Sequence, residues 1–112
     1  MGKELRVAVK ASQEKKAADL VVLDLRGLAS FTDFFLLASG TSNRQLKAIA
    51  DAVEEALASK GIKPGHVEGY SLGDWILMDY VDFVVHIFTP RSRTYYNLER
   101  LWGDAERLAI AS

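Results

Sequence analysis

The sequence predicts an α+β fold in which a mixed sheet of about five strands carries helices mainly on one face. Short apolar runs rich in β-branched residues recur along the chain, and longer segments repeat apolar residues at helical spacing. The last three strand candidates are joined by short turns, so a single helix-linked crossover remains, which predicts a mixed rather than a fully parallel sheet. The expected order is α-β-β-α-β-β-β-α, within one domain spanning residues 1–112.

The first part of the chain supplies one helix and two strands. Residues from about Lys3 to Ala18 are rich in alanine, lysine and glutamate and carry a thin apolar stripe, which favours a helix. The β-branched run Val21–Leu25 stops just before Arg26-Gly27 and predicts a short strand. Phe34–Ser39 is apolar almost throughout, which is typical of a strand that is covered on both faces.

The clearest helix begins at Ser42, whose hydroxyl is placed to cap it while Gln45 reaches back, as in a capping box. Apolar residues then recur every three or four positions and predict one buried stripe. Gly61 is expected to close the helix in a left-handed conformation, and Pro64 prevents the helix from resuming. The stripe comprises Leu46, Ile49, Ala50, Val53 and Leu57.

The second part of the chain supplies three strands and a final helix. A short strand candidate, His66–Tyr70, precedes two stronger ones, Trp75–Tyr80 and Phe83–Phe88. Val81 lies in the turn between those two. The link is short enough for a tight hairpin, but valine is unsuited to positive φ, so a wider or bulged turn is the alternative. A threonine followed by a proline then begins a helix that ends at Gly103.

Composition excludes several classes of protein. The 112 residues include no cysteine, which rules out a disulfide framework, a thiolate nucleophile and a cysteine-ligated metal. The net charge of -1 lacks the basic excess that is typical of proteins coating nucleic acid. No apolar run approaches the roughly 18 residues that a membrane helix requires, and no signal peptide is recognisable. We therefore expect a cytoplasmic protein that makes no membrane contact.

Two features point to catalytic or ligand-binding chemistry, each weakly. The turn from Gly40 to Ser42, followed by Arg44, joins a strand to a helix N-terminus and would suit a phosphate. A capped turn without ligand is the favoured interpretation, because the Gly-Lys-Ser/Thr of a Walker loop is missing. Asp24 and Asp79 would have to meet across the sheet to hold a metal. Aspartates at strand edges and turns more often limit strand slippage and aggregation, which is the favoured interpretation here. We expect no catalytic residue, metal or cofactor.

Strand alternation singles out Trp75 as the centre of a surface. It places Trp75, Leu77 and Asp79 on one face of their strand and the intervening residues on the other. The charge of Asp79 indicates that the Trp75 face is the outer one, and His86 joins it if its strand pairs in register. An exposed tryptophan marks a protein-docking patch, whereas one buried beneath the last helix would be structural. The residues alone leave both interpretations open.

Several blocks of residues stand out together along the chain. They are Asp33–Phe35, Ala38–Gln45, Glu68-Gly69, Asp74-Trp75, Asp79–Asp82, Val84–His86 and Tyr95–Asp104. In this order and spacing they resemble the ribosomal silencing factor, or Iojap, family over about Ala17 to Asp104. The chain departs from the family pattern at Val81, where glycine is usual, and at Phe34, where tyrosine is frequent.

The resemblance implies a nucleotidyltransferase-like fold without catalysis. It implies binding to the large ribosomal subunit through ribosomal protein L-fourteen, which blocks joining of the small subunit and represses translation. Organellar relatives act in large-subunit assembly, and members have been seen as homodimers. Contacts carried over from the family fall on the strand that bears Trp75, and further residues are added by face or proximity. The resulting partner-binding set is Trp75, Leu77 and Asp79, with Tyr70, His86 and Leu98.

Three functions follow as hypotheses. A translation repressor acting by steric occlusion is the leading one, and a large-subunit assembly factor with the same docking site is the second. A small nucleotide-binding or nucleotidyl-transfer enzyme, resting on the Gly40–Ser42 turn and scattered aspartates, is the third. Peripheral contact with ribosomal RNA would suit the arginines and tyrosines near the last helix, although a solvated helix face is the commoner explanation. Those residues are Arg91, Arg93, Arg100, Tyr95 and Tyr96.

Overall fold

The computed structural model describes residues 1–110, over which the chain forms four helices and six strands. The helices are α1 (Lys3–Glu14), α2 (Asn43–Ala58), α3 (Pro90–Tyr96) and α4 (Leu98–Leu101). The strands are β1 (Ala18–Asp24), β2 (Phe34–Ser39), β3 (His66–Glu68), β4 (Trp75–Asp79), β5 (Phe83–Phe88) and β6 (Glu106–Leu108). The α+β class is confirmed, and the predicted succession of elements continues into a fourth helix and a sixth strand.

The strands form one mixed sheet in the spatial order β3-β4-β5-β2-β1-β6. β2 and β5 run parallel, and the other neighbouring pairs run antiparallel. The expectation of about five strands is therefore wrong by one over the described residues. The missed strand, β6, has only three residues, two of them charged, and it pairs with β1 at the edge of the sheet. The sequence of β6 has neither an apolar run nor an alternation of apolar and polar residues that would predict a strand.

One face of the sheet is covered by α1 and α2. All five apolar residues of the predicted α2 stripe are buried, which confirms that prediction. α1 adds Leu5, Ala8 and Val9 to the same core, and β4 contributes Ile76 and Met78 from the sheet side. Removing this apolar surface from water is the main force that holds the two long helices on the sheet.

The turn into α2 is capped much as the capping box predicts. The Gln45 backbone N–H donates a hydrogen bond to Ser42 Oγ at 3.1 Å. The Gln45 side chain, however, accepts from the Thr41 N–H at 2.7 Å rather than from Ser42. Its amide nitrogen also donates to the carbonyls of Lys15 and Lys16, just after α1. One side chain thus ties the α2 N-terminus to the end of α1.

The opposite face of the sheet carries α3 and α4, so the expected one-sided arrangement holds only for the two long helices. Thr89 caps α3 and Pro90 occupies its first turn, as predicted. The single helix expected to reach Gly103 is interrupted at Asn97, whose backbone is left-handed with a φ of 47°. Asparagine tolerates this conformation better than most residues, which allows α4 to start in a new direction.

Arg93 connects α3 and α4 to the sheet. Its Nη1 donates to the carbonyl of Asp19 in β1 at 2.7 Å and to Ser39 Oγ in β2 at 2.8 Å. Its Nε donates to Glu99 of α4 at 2.9 Å, and this bond lowers the pKa of Glu99. One guanidinium group therefore links four elements, α3, α4, β1 and β2. Its planar set of N–H donors can reach several acceptors at once.

The bounds of four elements differ from the prediction. β1 covers Ala18–Asp24 instead of Val21–Leu25, because its pairing with β2 continues to Ala18 beyond an irregularity in the register. α1 stops at Glu14 instead of about Ala18, which already belongs to β1. β3 stops at Glu68 because Gly69 turns the chain with a φ of 80°, and a Cβ there would lie 2.0 Å from the Trp75 carbonyl oxygen. β4 stops one residue early, at Asp79, because the hairpin turn begins there.

The hairpin between β4 and β5 is tight, which is the first of the two alternatives that the sequence left open. Val81 adopts a φ of 74°, and the Asp82 N–H donates to the Tyr80 carbonyl at 2.9 Å, which forms a γ-turn around Val81. The Val81 N–H in turn donates to Asp79 Oδ1 at 2.8 Å. Positive φ is strained for a β-branched residue, so the turn stores strain at a side chain that is 67% exposed.

Candidate docking surface

The face of β4 that bears Trp75 is only partly covered. Trp75, Leu77 and Asp79 are half-buried, whereas Ile76 and Met78 on the opposite face are fully buried. This confirms the predicted alternation and the prediction that the Trp75 face is the outer one. The cross-strand partners of the three outer residues in β5 are Phe88, His86 and Val84, in that order.

Trp75 is held in one orientation by three neighbours. Its indole N–H donates to Nδ1 of His86 at 3.1 Å. Its ring stacks on Phe88 with the ring centres 5.3 Å apart, and it meets Tyr96 of α3 at 4.4 Å. The last helices therefore cover part of the indole and leave the rest accessible. Trp75 is therefore neither fully exposed nor fully buried beneath the last helix, the two alternatives that the sequence left open.

His86 lies beneath the surface rather than on it. Its side chain is 3% exposed, and burial lowers the pKa of His86 to about 3, so the imidazole is neutral at physiological pH. The ring of Phe35 meets it edge-on at 4.4 Å. Because Nδ1 accepts a hydrogen bond, the proton of the neutral ring sits on Nε2, which is buried and has no hydrogen-bond partner. His86 thus supports Trp75 from below.

Aromatic rings form a continuous row across this face. Neighbouring ring centres lie 4.4 to 6.1 Å apart. Phe31, Tyr95 and Tyr96 are exposed, at 59%, 80% and 47%, and Trp75 is half-buried, while Phe35 and His86 are buried. Several accessible rings on one face make it a candidate contact surface. The aromatic row consists of Phe31, Phe35, His86, Trp75, Tyr96 and Tyr95.

Sequence reasoning missed Phe31 as a surface residue. It lies in the connection between β1 and β2, outside every predicted element, and its ring reaches Phe35 and Trp102, each at 6.1 Å. The available signal was a lone large aromatic residue in a polar loop, flanked by Ser30 and Thr32. Such a residue is expected to find an apolar partner, but the sequence does not say which one.

The other predicted site residues differ in their placement. Leu77 and Leu98 pack, half-buried, against the apolar cluster beneath the aromatic row. Asp79 stands on the same face, at the end of β4. Tyr70 is separated from this group, because its hydroxyl donates to Asp51 of α2 at 3.0 Å, on the side of the sheet that carries the long helices. The remaining five predicted residues lie on the side of the sheet that carries α3 and α4.

The acids considered for metal binding do not converge. Asp24 accepts two hydrogen bonds from the Arg26 guanidinium, at 3.0 and 2.7 Å, and this pairing lowers the pKa of Asp24. It lies in β1, whereas Asp79 lies in β4, and both β2 and β5 stand between them. Within residues 1–110, no three His, Cys, Asp or Glu side chains are placed to share a metal ion.

The Gly40–Ser42 turn is filled by the chain itself. The Thr41 and Gln45 backbone N–H groups are both engaged in the cap of α2. A Cβ at Gly40 would lie 2.8 Å from the Leu46 side chain, so the glycine allows close packing of the turn on the helix. This is a packed, capped turn, which agrees with the interpretation favoured from the sequence.

The fold and the surface together define a small α+β protein with an aromatic contact face. Over the described part of the chain, no helix is long and apolar enough to cross a membrane. A family model described as "Ribosomal silencing factor during starvation" matches residues 2–112. The chain belongs to the ribosomal silencing factor family, and it is a ribosome-associated regulator of translation.

Known proteins resemble the chain along most of its length. The Ribosomal silencing factor RsfS of Halalkalibacterium halodurans is 44% identical over 106 residues, covering 95% of this chain and 91% of that protein. A crystal structure of a Chromobacterium violaceum protein matches with a TM-score of 0.88 and 35% identity, over 98% of this chain and 91% of that one. The mouse protein "Mitochondrial assembly of ribosomal large subunit protein 1" is 28% identical, covering 88% of this chain and 45% of that protein. The resemblance inferred from the sequence blocks is confirmed.

Proposed function

We propose that this protein represses translation by binding the large ribosomal subunit through ribosomal protein L-fourteen and sterically blocking the small subunit from joining. No bond is made or broken, so the mechanism needs neither a catalytic residue nor a cofactor, and it operates in the cytoplasm. The observation that carries the proposal is Trp75, a half-exposed tryptophan fixed within the aromatic row. Membership of the family supports the ribosome as the partner.

Trp75 has the properties of a binding anchor. Tryptophan is among the side chains that most often dominate interface energies, because its large ring buries much area with few torsions to freeze. Here its contacts with His86, Phe88 and Tyr96 already restrict those torsions. Little conformational entropy is then lost when a partner covers the ring, so more of the burial energy appears as affinity.

The surface also has suitable size and charge for a basic protein partner. A standard interface buries about 800 Å² on each side. That is a small part of the 6631 Å² that the chain exposes. Acidic side chains stand at both ends of β4, with Asp74 just before it, Asp79 as its last residue and Asp82 in the following turn. Ribosomal proteins are generally basic, so these charges would steer the encounter and fix the register of the complex.

The end of the aromatic row at α3 suits a peripheral contact with ribosomal RNA. Tyr95 is exposed there, next to the exposed Arg91. A base stacks on a tyrosine ring and a phosphate pairs with a guanidinium. We include this contact in the proposal as a secondary one.

Replacing Trp75 tests the proposal. Trp75→Ala should weaken binding to purified large subunits at least tenfold, which corresponds to about 1.4 kcal/mol. Tyr70→Ala is the matched control, since it removes an exposed aromatic ring from the opposite side of the sheet, and it should bind like the wild type. Circular dichroism checks that both variants are folded. A folded Trp75→Ala protein with wild-type affinity would overturn the docking assignment.

Large-subunit assembly is the second candidate, favoured by the name of the mouse relative. The same docking surface would serve it, and only the timing differs. A repressor lowers the joining of mature subunits when the purified protein is added to them. An assembly factor leaves that joining unchanged, and its depletion causes immature large subunits to accumulate.

Two further expectations from the family belong to this proposal. The aromatic row offers a surface on which a second copy could dock, so a homodimer formed there would compete with ribosome binding. A nucleotidyltransferase-like ancestry of the fold is compatible with a site that no longer holds metal, since Asp24 is paired with Arg26 and lies far from Asp79. Titration calorimetry with nucleotide and Mg²⁺ should therefore show no binding.

A further inference from the structure

We propose that His86 is a positioning residue, which fixes the indole of Trp75 in the orientation that a docking partner meets. The inference rests on the proposed function of the aromatic row and deepens it. The observation that carries it is the hydrogen bond of 3.1 Å from Trp75 Nε1 to His86 Nδ1, made beneath the partly exposed indole.

The sheet register brings the two side chains together. Trp75 pairs with Phe88 and Leu77 pairs with His86 across β4 and β5. Trp75 and His86 are therefore diagonal neighbours on one face, a distance that only long or aromatic side chains span. The imidazole lies between the rings of Phe35 and Phe88, at 4.4 and 5.9 Å, so it has no freedom to turn away from the indole.

Packing alone does not account for an imidazole at this position. His86 is almost fully buried, and its Nε2 has no hydrogen-bond partner there. A buried donor left unpaired is destabilising, and an apolar side chain of similar size would avoid that cost. What the imidazole supplies, and an apolar side chain does not, is the acceptor at Nδ1. Because burial keeps the ring neutral, that acceptor is present across the physiological pH range.

The remaining neighbours of Trp75 restrict the indole by packing, but they do not fix the direction of its N–H. Phe88 stacks on the indole and Tyr96 meets it at a tilt of 41°, and neither contact involves the indole N–H. The hydrogen bond is the directional contact among the three. Its loss should leave the fold intact, widen the range of indole orientations and lower affinity for the partner.

A matched pair of substitutions at His86 tests this idea. Asparagine and leucine have the same number of side-chain heavy atoms and both branch at Cγ, but asparagine places its Oδ1 where the imidazole has Nδ1, and leucine has no acceptor there. In a Trp102→Phe background Trp75 is the sole tryptophan, so its indole N–H gives one resonance in a ¹H–¹⁵N spectrum. His86→Asn should keep that resonance near its original position, whereas His86→Leu should shift and broaden it.

Binding to purified large subunits provides the second measurement. His86→Leu should bind about fivefold more weakly than His86→Asn, the factor expected for one hydrogen bond. Trp75→Phe keeps a ring at the surface while removing the N–H, and adding His86→Leu to it should cause no further loss. Trp75→Phe alone leaves the buried His86 unchanged, so its loss of affinity tests the same hydrogen bond if the substitutions at His86 unfold the protein.

The outcomes separate this inference from the proposed function. If Trp75→Ala weakens binding but His86→Leu and His86→Asn bind equally well, the positioning role is wrong and docking through Trp75 stands. If Trp75→Ala binds like the wild type, the docking proposal fails. An unchanged indole resonance in His86→Leu overturns the positioning role whatever the binding result.

Discussion

Acidification from pH 7 to pH 5 should lower the free energy of unfolding, mainly through His86. Burial lowers the pKa of His86 from its ordinary value of 6.5 to about 3. Between these two values the unfolded chain binds a proton that the folded chain does not accept. The stabilising contribution is therefore complete above pH 6.5 and is lost as the pH falls from 6.5 towards 3.

The size of the effect follows from this one proton. An unfolded-state histidine is almost fully protonated at pH 5, and proton linkage then gives a loss of about 2 kcal/mol between pH 7 and pH 5. Any folded-state pKa below about 4 gives nearly the same loss. Asp24 and Glu99, whose pKa values are lowered by arginine partners, lose their contributions mainly below their ordinary values of 3.8 and 4.5. Between pH 7 and pH 5, the change in the free energy of unfolding therefore comes mainly from His86 and not from these carboxylates.

Urea unfolding followed by far-ultraviolet circular dichroism at the two pH values measures this loss. The His86→Asn variant removes the titrating group and retains every other ionisable residue. Its stability should decrease by about 2 kcal/mol less than that of the wild type over the same range. Equal losses in the two proteins would refute the reasoning, because they would show that the folded protein accepts the proton on His86 without penalty.

Two further substitutions test the fold. Val81→Gly should raise the free energy of unfolding by about 1 kcal/mol, because glycine adopts a φ of 74° without strain and the valine side chain is mostly exposed. A lower melting temperature for this variant would contradict the inference that the turn at Val81 is strained. Arg93→Ala should lower the free energy of unfolding by about 2 kcal/mol, since Ser39 Oγ and the Glu99 carboxylate lose a charged donor. Arg93→Lys should recover part of the lost free energy of unfolding. An unchanged melting temperature for Arg93→Ala would show that the packing of α3 and α4 on the sheet does not depend on this side chain.

The parts of the fold with a strong local pattern were predictable from sequence. The α2 stripe repeats at helical spacing, and β2 and β5 are apolar almost throughout, so their burial follows from their own residues. The outer face of β4 was predictable as well, because strict alternation leaves a single charged residue, Asp79, to distinguish the two faces.

Features that depend on distant contacts were not predictable in this way. The burial of His86 is created by Trp75 and Phe35, which reach it from two other strands. The break at Asn97 replaces one expected helix by two, and a single asparagine within an otherwise helical pattern gives little warning of it. The placement of Tyr70 also depends on a distant contact, because Gly69 turns the chain before it and its hydroxyl donates to Asp51 of α2.

Under the proposed docking function, recognition and stability compete at this face. The aromatic row keeps a tryptophan accessible and buries an imidazole with an unpaired Nε2 beneath it. Each feature costs stability that an entirely apolar, fully covered sheet would retain. Proteins accept such costs where a site must be presented in a fixed geometry.

Sedimentation with separated ribosomal subunits tests the central claim most directly. The purified protein is mixed with large subunits at physiological salt, small subunits are then added, and the mixture is resolved on a sucrose gradient. Silencing by occlusion predicts that the protein migrates with the large subunit and that fewer joined ribosomes form, with Trp75→Ala reversing both effects. Failure to migrate with the large subunit, or migration with undiminished joining, would contradict it.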